Sequence, residues 1–149
     1  MQKTRVVESV EISSIAHATE DDTKVESALR ALLSNELKGR DIFTKQKLQG
    51  HYGNPITTYE ARLTRPLEVD EFVDFLVQKL PRVERLRVER DLHLHSDSEG
   101  NLYVRVNKQR AVSGSVELSG EDPIRIKLKF TRLKGDVREL MRQLLETDE

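Results

Sequence analysis

The side chains best suited to chemistry lie in Gly50-His51-Tyr52-Gly53-Asn54-Pro55-Ile56, which sets an imidazole, a phenol and a carboxamide within four positions. These groups hydrogen-bond and stack, which suits recognition better than bond making. The glycines and the asparagine supply the positive-φ residues of a tight reversal, and Pro55 restarts an extended segment. His93 and His95 stand two apart, so on a strand they would share one face. Asp91 and Asp97 are close enough to complete a metal site there. Two histidines are a weak signal, and neither a metal nor a cofactor is assigned. Asp21 and Asp22 read as charge at a helix start rather than as an acid/base pair, and His17 reads as a packing residue between strand and helix. Ser113-Gly114-Ser115 is a turn without triad partners, and no glycine loop would cradle a phosphate. No catalytic residues are assigned, so the chain reads as a non-enzyme.

Charge distribution says more than net charge, which is −1. Lys38, Arg40, Lys45, Lys47, Arg62 and Arg65 face only Asp41 and Glu60 in their stretch, a net of +4. Between Asn101 and Lys134, eight cations (Arg105, Lys108, Arg110, Arg125, Lys127, Lys129, Arg132 and Lys134) outnumber three acids, a net of +5. The rest of the chain is strongly acidic. The basic stretches are mostly strand and turn, while the acidic ones are mostly helix and tail. This predicts a sheet with one positive face and acidic helices behind it, able to steer a polyanion.

The elements that would position these groups follow from periodicity. Arg5 to Ala16 reads as a strand with Val10, Ile12 and Ala16 on one face. Thr19 is the expected N-cap of a helix whose stripe is Val25, Leu29, Leu32 and Leu33, ended by Gly39. Lys45 to Leu48 and Thr57 to Leu63 are strands on either side of the glycine-bounded tip. A helix follows Pro66, with Val69, Phe72, Val73, Leu76 and Leu80 on one face. Pro81 stops it, and Arg82 to Glu89 is a further helical turn. Leu92 and Leu94 alternate with His93 and His95, and Leu102, Val104 and Val106 with Tyr103 and Arg105, which predicts a hairpin turning at 97–101. Ile124, Ile126, Leu128 and Phe130 alternate with Arg125, Lys127, Lys129 and Thr131, so three cations stand opposite the apolar face. A last helix carries Val137, Leu140, Leu144 and Leu145. The fold class is α+β, a mainly antiparallel sheet with helices packed on one face in the order β-α-β-β-α-β-β-β-α.

Composition bounds the classes. A chain of 149 residues fits one domain, 1–149. Without cysteine there is no disulfide framework, thiol nucleophile or thiolate metal site. No apolar run reaches the roughly 20 residues of a membrane span, so a soluble cytoplasmic protein is expected. Charged residues make up 34%, a pattern like that of proteins from hot environments.

His17-Ala18-Thr19-Glu20-Asp21 and Gly50-His51-Tyr52-Gly53-Asn54-Pro55-Ile56 resemble, in order, two signatures of a family of small archaeal RNA-binding proteins. Glu60-Ala61-Arg62-Leu63, Asn107-Lys108-Gln109-Arg110-Ala111 and Asp122-Pro123-Ile124-Arg125-Ile126 also match the pattern, and the likeness runs from about Val7 to Leu145. The resemblance implies a fold similar to double-stranded-RNA-binding domains and to the large-subunit ribosomal protein that binds 5S ribosomal RNA. It also implies a predicted association with the exosome. On that basis the expected partner is structured or double-stranded RNA, recognised by shape and by phosphate contacts. His51, Tyr52 and Asn54 would enter a groove, flanked by Lys45, Lys47, Arg62 and Arg65. Arg125, Lys127 and Lys129, or Lys108 and Arg110, would neutralise phosphates. The expected setting is an RNA-processing complex or a ribosomal particle, with the chain a monomer or homodimer. The rival reading is a protein-interaction module, its strand cations solvated or guarding an exposed edge.

Overall fold

In the computed structural model the described residues are 6–50, 53–132 and 135–146. The period-two segments form β1 (Val7–Ala16), β2 (Thr44–Gln49), β3 (Pro55–Leu63), β4 (Asn101–Val106) and β5 (Ile124–Phe130). They make one antiparallel sheet in the order β2-β3-β1-β5-β4, with β1 at its centre. Register turns alternation into two unlike faces. Ile12 lies opposite Ala61 on one side and Ile126 on the other, and Leu128 lies opposite Leu102. All five are buried. Each large aliphatic side chain removed from water in this way contributes roughly 1.5–3 kcal/mol.

The helices cover that apolar face. They are α1 (Asp22–Ala31), α2 (Asn35–Lys38), α3 (Pro66–Lys79), α4 (Arg82–Arg90), α5 (Leu92–His95), α6 (Lys108–Val112) and α7 (Val137–Leu145). α1 and α3 lie against β1, α7 lies against β5, and α4 packs on α7. α3 starts on Pro66, whose missing N–H costs nothing in a first turn, and buries Val69, Phe72, Val73, Leu76 and Val77. Pro81 stops it, as expected. The α1 cap falls at Asp21 rather than Thr19, and the Asp21 carboxylate accepts from the Thr23 N–H at 3.0 Å. The reason is a separate turn just before it, closed by the Glu20 N–H donating to the His17 carbonyl at 2.9 Å.

The element order departs from expectation between residues 92 and 112. Leu92–His95 is a helical turn, α5, not a strand, so two strands follow α3 instead of three. Only Leu92 of its two leucines is buried, while Leu94 is exposed, so the segment has no apolar strand face to pair. The Leu94 N–H donates to the Asp91 carbonyl at 2.8 Å, and the Ser96 hydroxyl donates to the Leu92 carbonyl at 2.7 Å. α6 was not expected. Asn107 caps it, its side-chain oxygen accepting from the Arg110 N–H at 2.9 Å.

The turn leading into β4 is built on one carboxylate. Asp97 accepts from the Glu99 N–H at 2.9 Å, the Asn101 N–H at 3.0 Å, the Asn101 amide at 2.9 Å and the Tyr103 hydroxyl at 2.9 Å. Burial pushes the Asp97 pKa up, but these donors outweigh it and hold it at about 2. A depressed carboxylate stabilises the fold above its ordinary value near 3.8, and that contribution is lost as pH falls through about 2. Asp97→Ala should therefore cost about 1–3 kcal/mol at neutral pH, since it strands the donors of Asn101 and Tyr103. Urea unfolding at pH 7 and pH 2 checks this, because the variant's deficit should shrink at the lower pH.

Candidate nucleic-acid interface

The sheet face turned away from the helices is largely uncovered. Its side chains form rows across the strands. One row runs Arg62, Glu11, Lys127, Tyr103, and the next runs Glu60, Ser13, Arg125, Arg105. Lys129 follows on β5, opposite Ser9 and Asn101. Arg62, Arg105, Arg125, Lys127 and Lys129 thus meet on one face although they come from three strands, against Glu11 and Glu60. Lys127 lies 3.6 Å from Glu11. Among the described residues, no carboxylate lies within ion-pair distance of Arg62, Arg105, Arg125 or Lys129. Along β5, alternate residues are about 6.6 Å apart, close to the separation of successive phosphates on one nucleic-acid strand. A shallow groove between Glu11, Ser13, Ile42, Thr44, Glu60 and Arg62 adjoins the row of arginines and lysines.

Other expected site residues lie elsewhere. Lys45 and Lys47 alternate toward the helix side of β2, opposite Tyr59 and Thr57. The Lys45 ammonium lies 3.6 Å from Asp22, 3.8 Å from Glu26 and 5.8 Å from the centroid of the Tyr59 ring. Tyr59 first, then Glu26 and Asp22, raise the Lys45 pKa against a burial cost. Arg65 stands at the N-cap position of α3. Arg110 lies 3.4 Å from Glu117. Asn54 is exposed in the turn between β2 and β3, and His51 and Tyr52 lie outside the described residues. In that turn Gly53 has φ +79°, whereas Gly50 serves close approach: a Cβ there would meet the Asn54 carbonyl at 3.0 Å. Neither Gly50 nor Asn54 has the positive φ expected for it.

Lys108 differs most from expectation. It is buried, and its ammonium donates to the Ile15 carbonyl at 2.8 Å and to both Glu20 oxygens at 3.0 and 3.1 Å. It also lies 2.7 Å from Asp122, which pairs with the His17 ring at 3.1 Å. Burial pushes the Asp122 pKa up, but Lys108 and His17 outweigh it and hold the carboxyl below the usual range. His17, Glu20 and Asp122 bring ligand-type atoms within 4.8 Å of one another, but the ammonium between the two acids already supplies the cation. Asp122 adopts φ +43°, and the cluster ties that strained loop to the end of β1 and to α6.

The cluster joins three of the segments that match the family pattern, 17–21, 107–111 and 122–126. Ala16 pairs with Thr57, Arg125 with Ser13 and Val106 with Ile124. Residues 17–21, 53–56, 107–111 and 122–126 therefore gather at one end of the sheet, next to the Arg105 and Arg125 row. Sequence reasoning had Arg105 on the right strand phase but did not assign it to the site. What it lacked was the register that sets Arg105 opposite Arg125. His93 and His95 sit on a helical turn, about 200° apart around its axis, so they do not share a face. Burial first, then Arg105, lowers the His95 pKa.

A family model described as RNA binding matches residues 9–130. A Pyrococcus abyssi protein named RNA-binding protein PAB1135 is 31% identical over 146 residues, covering 95% of each chain. The crystal structure of protein AF2318 from Archaeglobus fulgidus superposes with a TM-score of 0.79 at 31% identity, covering 93% of this chain and 99% of that one. Mth689 from Methanothermobacter thermautotrophicus, described as a DUF54 protein, gives 0.73 at 27% identity, covering 95% and 99%. Among the described residues, no helix is long and apolar enough to cross a membrane.

Proposed function

Starting from the fact that the chain belongs to the RNA-binding family, we propose that its open sheet face binds structured RNA without catalysing a reaction on it. The observation that carries this reading is the gathering of Arg62, Arg105, Arg125, Lys127 and Lys129 on one uncovered face. Side chains spaced along strands suit phosphates and 2′-hydroxyls of a duplex, which is read mostly by shape. The fold that the family resemblance implies, similar to double-stranded-RNA-binding domains and to the 5S-RNA-binding ribosomal protein, supports the choice of duplex. The resemblance also supports a role in RNA processing, as with the exosome, or in ribosome assembly, within the cytoplasm. His51, Tyr52 and Asn54 add stacking and hydrogen-bonding groups to the footprint, and Arg65 adds charge beside β3.

Titrating a synthetic RNA hairpin at about 50 mM and then about 200 mM salt tests the reading. Four neutralised phosphates predict a fall in affinity on the order of a hundredfold. Binding that is absent, or unchanged by salt, rejects it. One observation favours a second reading, a protein-interaction module or homodimer. All six residues of the edge strand β2 are exposed, leaving a free row of backbone donors and acceptors. Light scattering of RNase-treated protein would then report a mass above the monomer.

A further inference from the structure

We infer that Arg105 and Arg125 hold one RNA phosphate between them and so anchor the bound strand at the β4–β5 side of the open face. This rests on the RNA-binding reading above and adds a residue pair and a ligand group to it. The two arginines are directly opposite in register. Side chains so placed start about 5 Å apart at Cβ, and like charges in that position repel. Several other surface cations of the described residues have an acid to hand. Arg40 meets Glu68, Arg87 lies 3.1 Å from Glu84, and Lys127 lies 3.6 Å from Glu11. Arg105 and Arg125 have none. The nearest carboxylate in their own row is Glu60, beyond Ser13 and two strands from Arg125.

Arg105 is also held in place from below. Its guanidinium lies 5.7 Å from the centroid of the Tyr103 ring, and the Tyr103 hydroxyl donates to Asp97 at 2.9 Å. Asp97 in turn is tied to the Glu99 and Asn101 backbone, so the stack stands on a rigid turn. A guanidinium is a planar fork matched to phosphate oxygens, and two forks facing each other can share one phosphate from either side. An anion between them relieves the repulsion that the free protein carries.

The test uses a synthetic RNA hairpin and four variants: Arg105→Gln, Arg125→Gln, the double variant, and Arg62→Gln as a control on the same face. Each single loss at the pair should weaken binding about eightfold near 0.1 M salt, the effect of one phosphate contact. The double variant should be little worse than either single one, because both lose the same phosphate. Its salt slope should fall by about 0.9 rather than 1.8. The unfolding midpoints of the free single variants should stay level or rise. Losses that multiply, a slope that falls by two contacts, unaffected affinity or lowered midpoints would each overturn the shared-phosphate inference while RNA binding stands. Failure of the parent protein to bind the hairpin would instead remove the reading on which it rests.

Discussion

Lys127→Glu combined with Lys129→Glu is expected to weaken RNA binding about sixty-fold or more near 0.1 M salt while the protein stays folded. Each neutralised phosphate is worth about eightfold there, and two are lost. Reversal also places two anions where phosphates would lie, so sixty-fold is a lower bound. The fold should tolerate the change because both side chains point away from the core that Ile126, Leu128 and Phe130 build on the other side of β5. Lys127 does lie 3.6 Å from Glu11, and a glutamate there would face a like charge, at a cost of up to about 1 kcal/mol. Circular dichroism melts together with hairpin titrations check both halves. Lys24→Glu with Lys79→Glu, on the helix side, is the matched control and should change affinity little.

Lys108→Met should have the largest effect on stability, about 2–3 kcal/mol. Breaking a buried ion pair by removing one partner costs about 3–5 kcal/mol because the other charge is left uncompensated. Here the acids are not fully buried: the side chains of Glu20 and Asp122 are 31% and 46% exposed, so water screens part of the loss. The pH dependence distinguishes this from simple loss of packing. The Asp122 pKa is lowered in the fold, so its contribution is present above the ordinary carboxylate range and is lost as pH falls through its folded value. Melting curves from pH 7 to pH 3 should show the parent losing stability more steeply than the variant. Because the cluster ties the 107–111 and 122–126 segments to the end of β1, the variant should also loosen the end of the sheet where Arg125 sits.

The strands and the longer helices were legible because their apolar residues recur at fixed periods. Ile124 to Phe130 alternates without interruption, and α3 shows its stripe between Pro66 and Pro81. Alternation could place Arg125, Lys127 and Lys129 on the outer face, but not say what stands beside them. That depends on strand order and register, which bring Arg105 opposite Arg125 and Glu11 beside Lys127. The same limit hid the phase of β2: Lys45 and Lys47 alternate with Gln46 and Leu48, and only the pairing of Lys45 with Tyr59 shows that they turn toward the helices. Lys108 was illegible for another reason. A lysine near a turn reads as solvated, and the acids that bury it, Glu20 and Asp122, lie far away in the chain. Leu92–His95 misled because four residues fit either period, and the burial of Leu92 alone decides for a helical turn.

RNA is expected to meet the protein on the uncovered sheet face. Amide chemical-shift mapping by NMR, with a synthetic RNA hairpin titrated into labelled protein, would locate that contact residue by residue. The largest shifts should fall on Arg62, Arg105, Arg125, Lys127 and Lys129, with α3 and α4 nearly silent. Shifts concentrated on α3, α4 or α7, with the β1–β5–β4 face unmoved, would contradict that placement.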